Sequence, residues 1–85
     1  MTNLTIFIDA AQYASAKELH QALKMMLDLP EHYGCNADAL YDCLSERVGN
    51  PVNLCILSAG EGDVAEALRK VVHVIEDLGG DTKIL

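Results

Sequence analysis

Val52-Asn53-Leu54-Cys55-Ile56-Leu57 is the most apolar strand-like stretch of the chain, bounded by Gly49-Asn50-Pro51 before it and by the glycine-containing segment Ser58 to Gly62 after it. A short apolar run closed on both sides by turn formers reads as a β-strand, and its high apolar content places it at the centre of a sheet. Downstream, Asp63 and Glu66 form a capping-box-like start. Val64, Leu68, Val71, Val72, Ile75 and Leu78 then recur at helical spacing until Gly79-Gly80 ends the helix. His73 falls opposite that stripe, where a solvated side chain is expected. Asp81 to Leu85 reads as a short last strand.

Upstream of the central strand, Ala37, Leu40, Leu44 and Val48 predict a second helix over Ala37 to Val48. Asp38, Asp42 and Glu46 repeat every four residues on another face of it, pointing away from the core. Asn36 is a good N-cap, and Gly34 before it permits positive φ. A first helix opens at Ser15 and Glu18, a capping-box pattern, and carries Leu19, Leu23, Met26 and Leu27 on one face until Pro30 stops it. Leu4 to Ile8, closed by Asp9, reads as the first strand. The order strand, helix, helix, strand, helix, strand needs long crossovers, which favour right-handed parallel connections. The expected fold is an α/β sandwich with a three-stranded parallel sheet in order 1-2-3 and helices on one face, built as one domain from all 85 residues.

Composition narrows the function. Thirteen acidic against six basic residues give a formal charge of -7, a field that repels a phosphate backbone and suits a cationic partner, so nucleic acid is not the expected ligand. Cys35, Cys43 and Cys55 are odd in number and no secretion signal is apparent, which points to a reducing cytoplasm. The apolar runs fall far short of a membrane span. His20, His32 and His73 with three cysteines make no Cys-x-x-Cys or His-x-x-x-His pair, so no metal or other cofactor is expected. Asp38 and Asp42 could in principle share a proton as an acid-base pair, but an exposed helix in so small a chain rarely makes a catalytic pocket. Cys43 has no histidine at triad-like spacing. The protein is not expected to be an enzyme.

Leu19-His20-Gln21-Ala22-Leu23, followed by Leu29-Pro30-Glu31-His32-Tyr33-Gly34-Cys35-Asn36-Ala37-Asp38-Ala39-Leu40-Tyr41-Asp42-Cys43-Leu44, closely resembles the barstar family of intracellular inhibitors of barnase-type ribonucleases. Between Leu19 and Pro51 the proline, Tyr-Gly, Asn, Asp, Leu and Asp-Cys-Leu positions recur at unchanged spacing; elsewhere only the order of elements agrees. The resemblance implies a barstar-like two-layer sandwich, a monomer when free, that plugs a ribonuclease active site one to one with its loop and second helix. Helix carboxylates then take the place of RNA phosphates. The implied contact residues are His32, Tyr33, Gly34, Asn36, Asp38, Tyr41, Asp42, Ser45 and Glu46, with Asp42 first in importance and Asp38 second. Beside this stands a physical argument: between Lys24 and Arg47 lie five acids and no Lys or Arg, a surface complementary to the basic groups with which a nuclease holds phosphates.

The chain also departs from the family. Tyr41 stands where the family carries a Trp, His32 replaces a Tyr, Val74 aligns with a contact acid on the last helix, and the segment from Pro51 to that helix is shorter. These differences imply a related but not identical target, and leave as the alternative an interaction module for a non-nuclease protein. The resemblance further implies a cis Asn50-Pro51 bond.

Overall fold

In the computed structural model, which describes residues 4–46 and 51–85, the chain runs as β1 (Leu4–Asp9), a 3-10 turn (Ala10–Gln12), α1 (Ala16–Met26), α2 (Ala37–Ser45), β2 (Val52–Ser58), α3 (Gly62–Asp77) and β3 (Thr82–Ile84). β1 and β3 each pair parallel with β2, so the sheet has the expected order 1-2-3. Its register sets Ile6 beside Leu54, Ile8 beside Ile56, and Ile56 beside Ile84. The Leu54 N–H donates to the Asp81 carbonyl at 2.8 Å and the Leu85 N–H to the Ile56 carbonyl at 2.9 Å, so pairing reaches past both ends of β3.

Alternate strand residues point to opposite faces. Ile6, Ile8, Val52, Leu54 and Ile56 are buried, whereas Phe7 and Leu57 on the other face are 56% and 53% exposed. The helices thus cover one face, as an α/β two-layer sandwich requires. α3 lies on β2 and β3 and also touches α1 and α2. Leu19, Leu23, Leu40, Val71 and Ile75 are fully buried beneath these helices, each worth about 1.5–3 kcal/mol of transfer free energy.

The helix ends show where local rules held and where tertiary geometry prevailed. The Ser15 Oγ accepts from the Glu18 N–H at 3.3 Å, while the Glu18 carboxylate accepts from the Ala14 N–H, one residue before the donor that a closed capping box uses. α1 stops at Met26, earlier than Pro30 alone demands, because Leu27 caps it and Asp28 turns to φ 52. Leu19, Leu23 and Leu27 hold the core as expected, but Met26 is 38% exposed and His20 is buried on that side instead.

At the start of α3 the capping role expected of Asp63 and Glu66 is absent: Glu61 is the N-cap without a side-chain hydrogen bond, and Glu66 pairs with Arg69. The face of α3 is also rotated from the expected one, burying Ala67 and Val74 while Val72 and Leu78 are only half-buried. Its far end is a Schellman motif, with the Gly79 N–H donating to Glu76 and the Gly80 N–H to Ile75 around Gly79 at φ 91. α2 ends at Ser45 with Glu46 as C-cap rather than continuing to Val48. Val48 and the Asn50-Pro51 bond lie outside the described residues.

Candidate partner-binding surface

The segment from Leu27 to Asn36 contains two buried pegs, Leu29 and Tyr33, each 6% exposed, between exposed Pro30, Glu31, His32 and Gly34. Backbone bonds hold both pegs: the Leu29 N–H donates to the Lys24 carbonyl at 2.9 Å, and the Tyr33 N–H donates to the Pro30 carbonyl at 3.0 Å. Lys24 also pairs with Glu31 at 3.2 Å, a surface contact of small energy. The Tyr33 hydroxyl lies 2.6 Å from Nδ1 of His20, itself only 3% exposed on α1. Burial lowers the pKa of His20, and burial followed by the influence of Cys35 and Cys43 raises that of Tyr33, so both are neutral at physiological pH.

Tyr33, implied as a partner contact, is therefore turned into the protein; a loop of this length needs a large apolar body to anchor it, and Tyr33 supplies one with a polar tip. Positive φ falls not on Gly34 but on Cys35, at 54°. A Cβ placed on Gly34 would meet Ala39 and Asn36 atoms at 3.4 Å, an ordinary contact. The fold does not demand glycine there.

Asn36 caps α2 as its sequence position suggests. Its Oδ1 accepts from the Ala39 N–H at 2.8 Å, and its Nδ2 donates back to the Gly34 carbonyl at 3.2 Å, so one side chain starts the helix and closes the loop. Asn36→Ala is expected to lower global stability by about 1 kcal/mol, read as a reduced urea midpoint with unchanged slope.

From this cap Leu40 and Leu44 point into the core, while Asp38, Tyr41, Asp42, Ser45 and Glu46 are exposed. The structure thus brings eight of the nine expected contact residues, His32, Gly34, Asn36 and these five, onto the outside of one continuous loop and helix. Ser45 donates to the Asp42 carbonyl at 2.9 Å, tightening the last turn. Among the described residues Asp38, Asp42 and Glu46 form no salt bridge. Asp38 sits in the first turn, where a carboxylate favours the helix dipole. Glu46 sits at the opposite end, where a negative charge opposes the dipole by about 0.3–1 kcal/mol, and among the described residues the last turn holds no basic residue. An acid that the helix does not need for stability is evidence for a role outside the fold.

Beside the row of acids a groove of about 450 Å³ separates loop from helix, lined by Leu29, Pro30, His32, Cys43 and Glu46. Cys43, set aside on sequence grounds as a nucleophile, is half-buried in this groove and remains a free thiol, as do Cys35 and Cys55. No three His, Cys, Asp or Glu side chains among the described residues gather as a metal-binding group, and no helix there is long and apolar enough to cross a membrane. His73 is exposed as expected. Val74 is buried at 8% exposure, so that position presents nothing to a partner.

Residues 3–83 of the chain match the barstar (barnase inhibitor) family. The chain belongs to the barstar family. A Bacillus subtilis protein named "Putative ribonuclease inhibitor YrdF" is 33% identical, over 85% of this chain and 89% of that relative. Membership of the barstar family supports ribonuclease inhibition, rather than catalysis, at the level of the family. Leu29 and His20, which hold this loop from inside, are not among the expected contact residues, although the place of His20 one turn before Lys24 and beside Leu19 and Leu23 puts it on the buried flank of α1.

Proposed function

We propose that this protein inhibits a basic ribonuclease one to one inside the cell, as a monomeric single domain, by laying the loop after α1 and the outer face of α2 over the enzyme's phosphate-binding site. The observation that carries this reading is the row Asp38, Asp42 and Glu46, exposed and, among the described residues, without a salt bridge, on a capped and packed helix. Rigid anions mimic a phosphate backbone with less entropy loss than a flexible acidic tail. The exposed, sterically undemanded Gly34 leaves room for close approach of a partner's backbone, and Tyr41, 43% exposed, supplies an amphipathic contact beside Asp42. Three free thiols suit a reducing compartment.

The test is titration of barnase and other secreted basic ribonucleases with the purified protein, followed by stopped-flow association. Stoichiometric inhibition is expected. The association rate should fall steeply as ionic strength rises through about 0.1 M, where the Debye length is about 10 Å. The buried Val74 favours a second reading, a barstar-like module for a non-nuclease protein, because the last helix lacks a carboxylate at that place. Absence of inhibition across basic ribonucleases, with capture of a different protein that Asp42→Ala abolishes, selects that reading.

A further inference from the structure

His20 is a buried titratable group that neither the acidic row nor its charge complementarity uses. It makes a buried side-chain contact from the body of α1 to the middle of the loop: its Nδ1 lies 2.6 Å from the Tyr33 hydroxyl, which also has the Asn36 carbonyl as a polar neighbour at 3.5 Å. The hydroxyl proton is best placed on the shorter contact, which requires a neutral Nδ1 with a free lone pair. The rings also meet at 5.9 Å between centroids, tilted by 53°. On the side of His20 toward α3 lies a cavity of about 260 Å³, lined among others by Cys35, Asp63, Glu66 and Lys70.

We propose that His20 is a positioning residue for the partner-binding loop, holding Tyr33 and with it the segment from Leu29 to Asn36 only while its imidazole is neutral. This deepens the proposed function by adding a regulation to that same surface. A proton on Nδ1 removes the nearer acceptor of the Tyr33 hydroxyl, leaving it the Asn36 carbonyl at 3.5 Å, and places a charge at a site with 3% exposure. The titratable groups around the ring are Tyr33 and Cys35 from the loop and Asp63, Glu66 and Lys70 from α3. Asp63 and Glu66 draw an imidazolium toward the cavity; Lys70 opposes it, and Glu66 is partly engaged by Arg69. The charged ring therefore turns toward α3 and abandons Tyr33, which releases the loop.

The sign of the effect follows from linkage. Burial holds the folded pKa of His20 below its ordinary value of 6.5. The open loop, with a solvated His20, binds the proton first as pH falls. The closed loop is fully favoured above 6.5 and loses ground progressively below it, until the folded pKa is passed.

The experiment follows His20 ring resonances and amide exchange protection of residues 29–36 in the free full-length protein from about pH 8 to about pH 5. Protection is expected to fall about tenfold in step with His20 titration, while the amides of β2 keep theirs. His20→Asn, which retains a neutral acceptor near Nδ1, should show no such fall. Tyr33→Phe, which keeps the ring and lacks the hydroxyl, should exchange quickly at every pH. In parallel, the ratio of barnase inhibition constants for wild type and His20→Asn should widen about tenfold on acidification; comparing variants at each pH cancels titration of the nuclease. Unchanged loop protection while His20 titrates overturns the proposal, as does a Tyr33→Phe loop that behaves like wild type. The exchange measurements need no nuclease, so their outcome is independent of whether the protein inhibits one.

Discussion

Asp42→Ala is expected to weaken ribonuclease inhibition by about 2 kcal/mol or more while leaving the melting temperature essentially unchanged, a size taken from the barstar family, which supplies the extreme case among interface hot spots. Asp42 is exposed in the middle of α2, between Asp38 and Glu46 one turn to either side. Truncating a central carboxylate leaves the partner's arginine and lysine groups dehydrated and unpaired, which costs more than the contact itself contributes. The fold loses little: Leu40 and Leu44 hold α2 to the core, and the Ser45 hydroxyl bonds to the Asp42 carbonyl, which alanine retains. Relief of repulsion from Asp38 and Glu46 adds a few tenths of a kcal/mol in favour of the variant helix. Asp38→Ala and Tyr41→Ala should reduce inhibition less, and Asp38→Ala also sacrifices its favourable place at the helix N-terminus. Inhibition titrations with matched thermal melts check all three variants. If Asp42→Ala inhibits like wild type while Glu61→Ala or Glu76→Ala does not, the partner binds at α3 and not α2.

Gly80→Ala is expected to be the most damaging single methyl addition, destabilising the protein by about 3 kcal/mol or more. A Cβ on Gly80 would stand 1.9 Å from the Val52 carbonyl oxygen and 2.8 Å from Cγ2 of Ile75. The obstacle is the backbone of the central strand, which cannot swing aside as a surface side chain does. Gly80 also closes the Schellman motif of α3 and precedes Asp81, whose carbonyl accepts from Leu54 and whose N–H donates to the Asn53 side chain at 3.1 Å. Shifting Gly80 therefore disturbs the end of α3 and the pairing of β3 together. For a domain of this size each kcal/mol lowers Tm by about 4–8 °C, so calorimetry should show a loss of about 12 °C or more, or no cooperative transition. Gly79→Ala provides the contrast: its cost comes from φ 91, with nothing within 4 Å of the added carbon.

Much of the fold could be read from the sequence because its signals were redundant. The apolar run Val52 to Leu57, the periodic leucines of α1 and α2, and Gly79-Gly80 each pointed to the element found there. The errors lie where a local rule competed with tertiary geometry. Asp63 and Glu66 matched a capping pattern, yet Gly62 at φ 60 brings the chain into α3 earlier and leaves Glu66 to Arg69. Gly34 was the natural residue for positive φ, but the loop needs that bend one residue later, at Cys35, so that Asn36 can cap α2 and Tyr33 can reach His20. The acidic face was legible from its four-residue spacing. The inward turn of Tyr33 was not, because an aromatic in a loop can anchor or protrude, and only a buried hydrogen-bonding partner thirteen residues away decides which.

The sheet has a consequence for how the chain is born. Among the described residues β1 and β3 bond only to β2, and β1 meets it through pairs such as Leu4 with Val52, so β1 has no strand of this sheet to join until β2 has been made. Closing that long loop costs entropy before pairing returns any. α1 and α2 are complete by then, yet the core that fixes their outward faces depends on β2 and α3 as well. The acidic face thus emerges as sequence before the elements that shape it, and becomes a fixed surface only once β2 and α3 have been made.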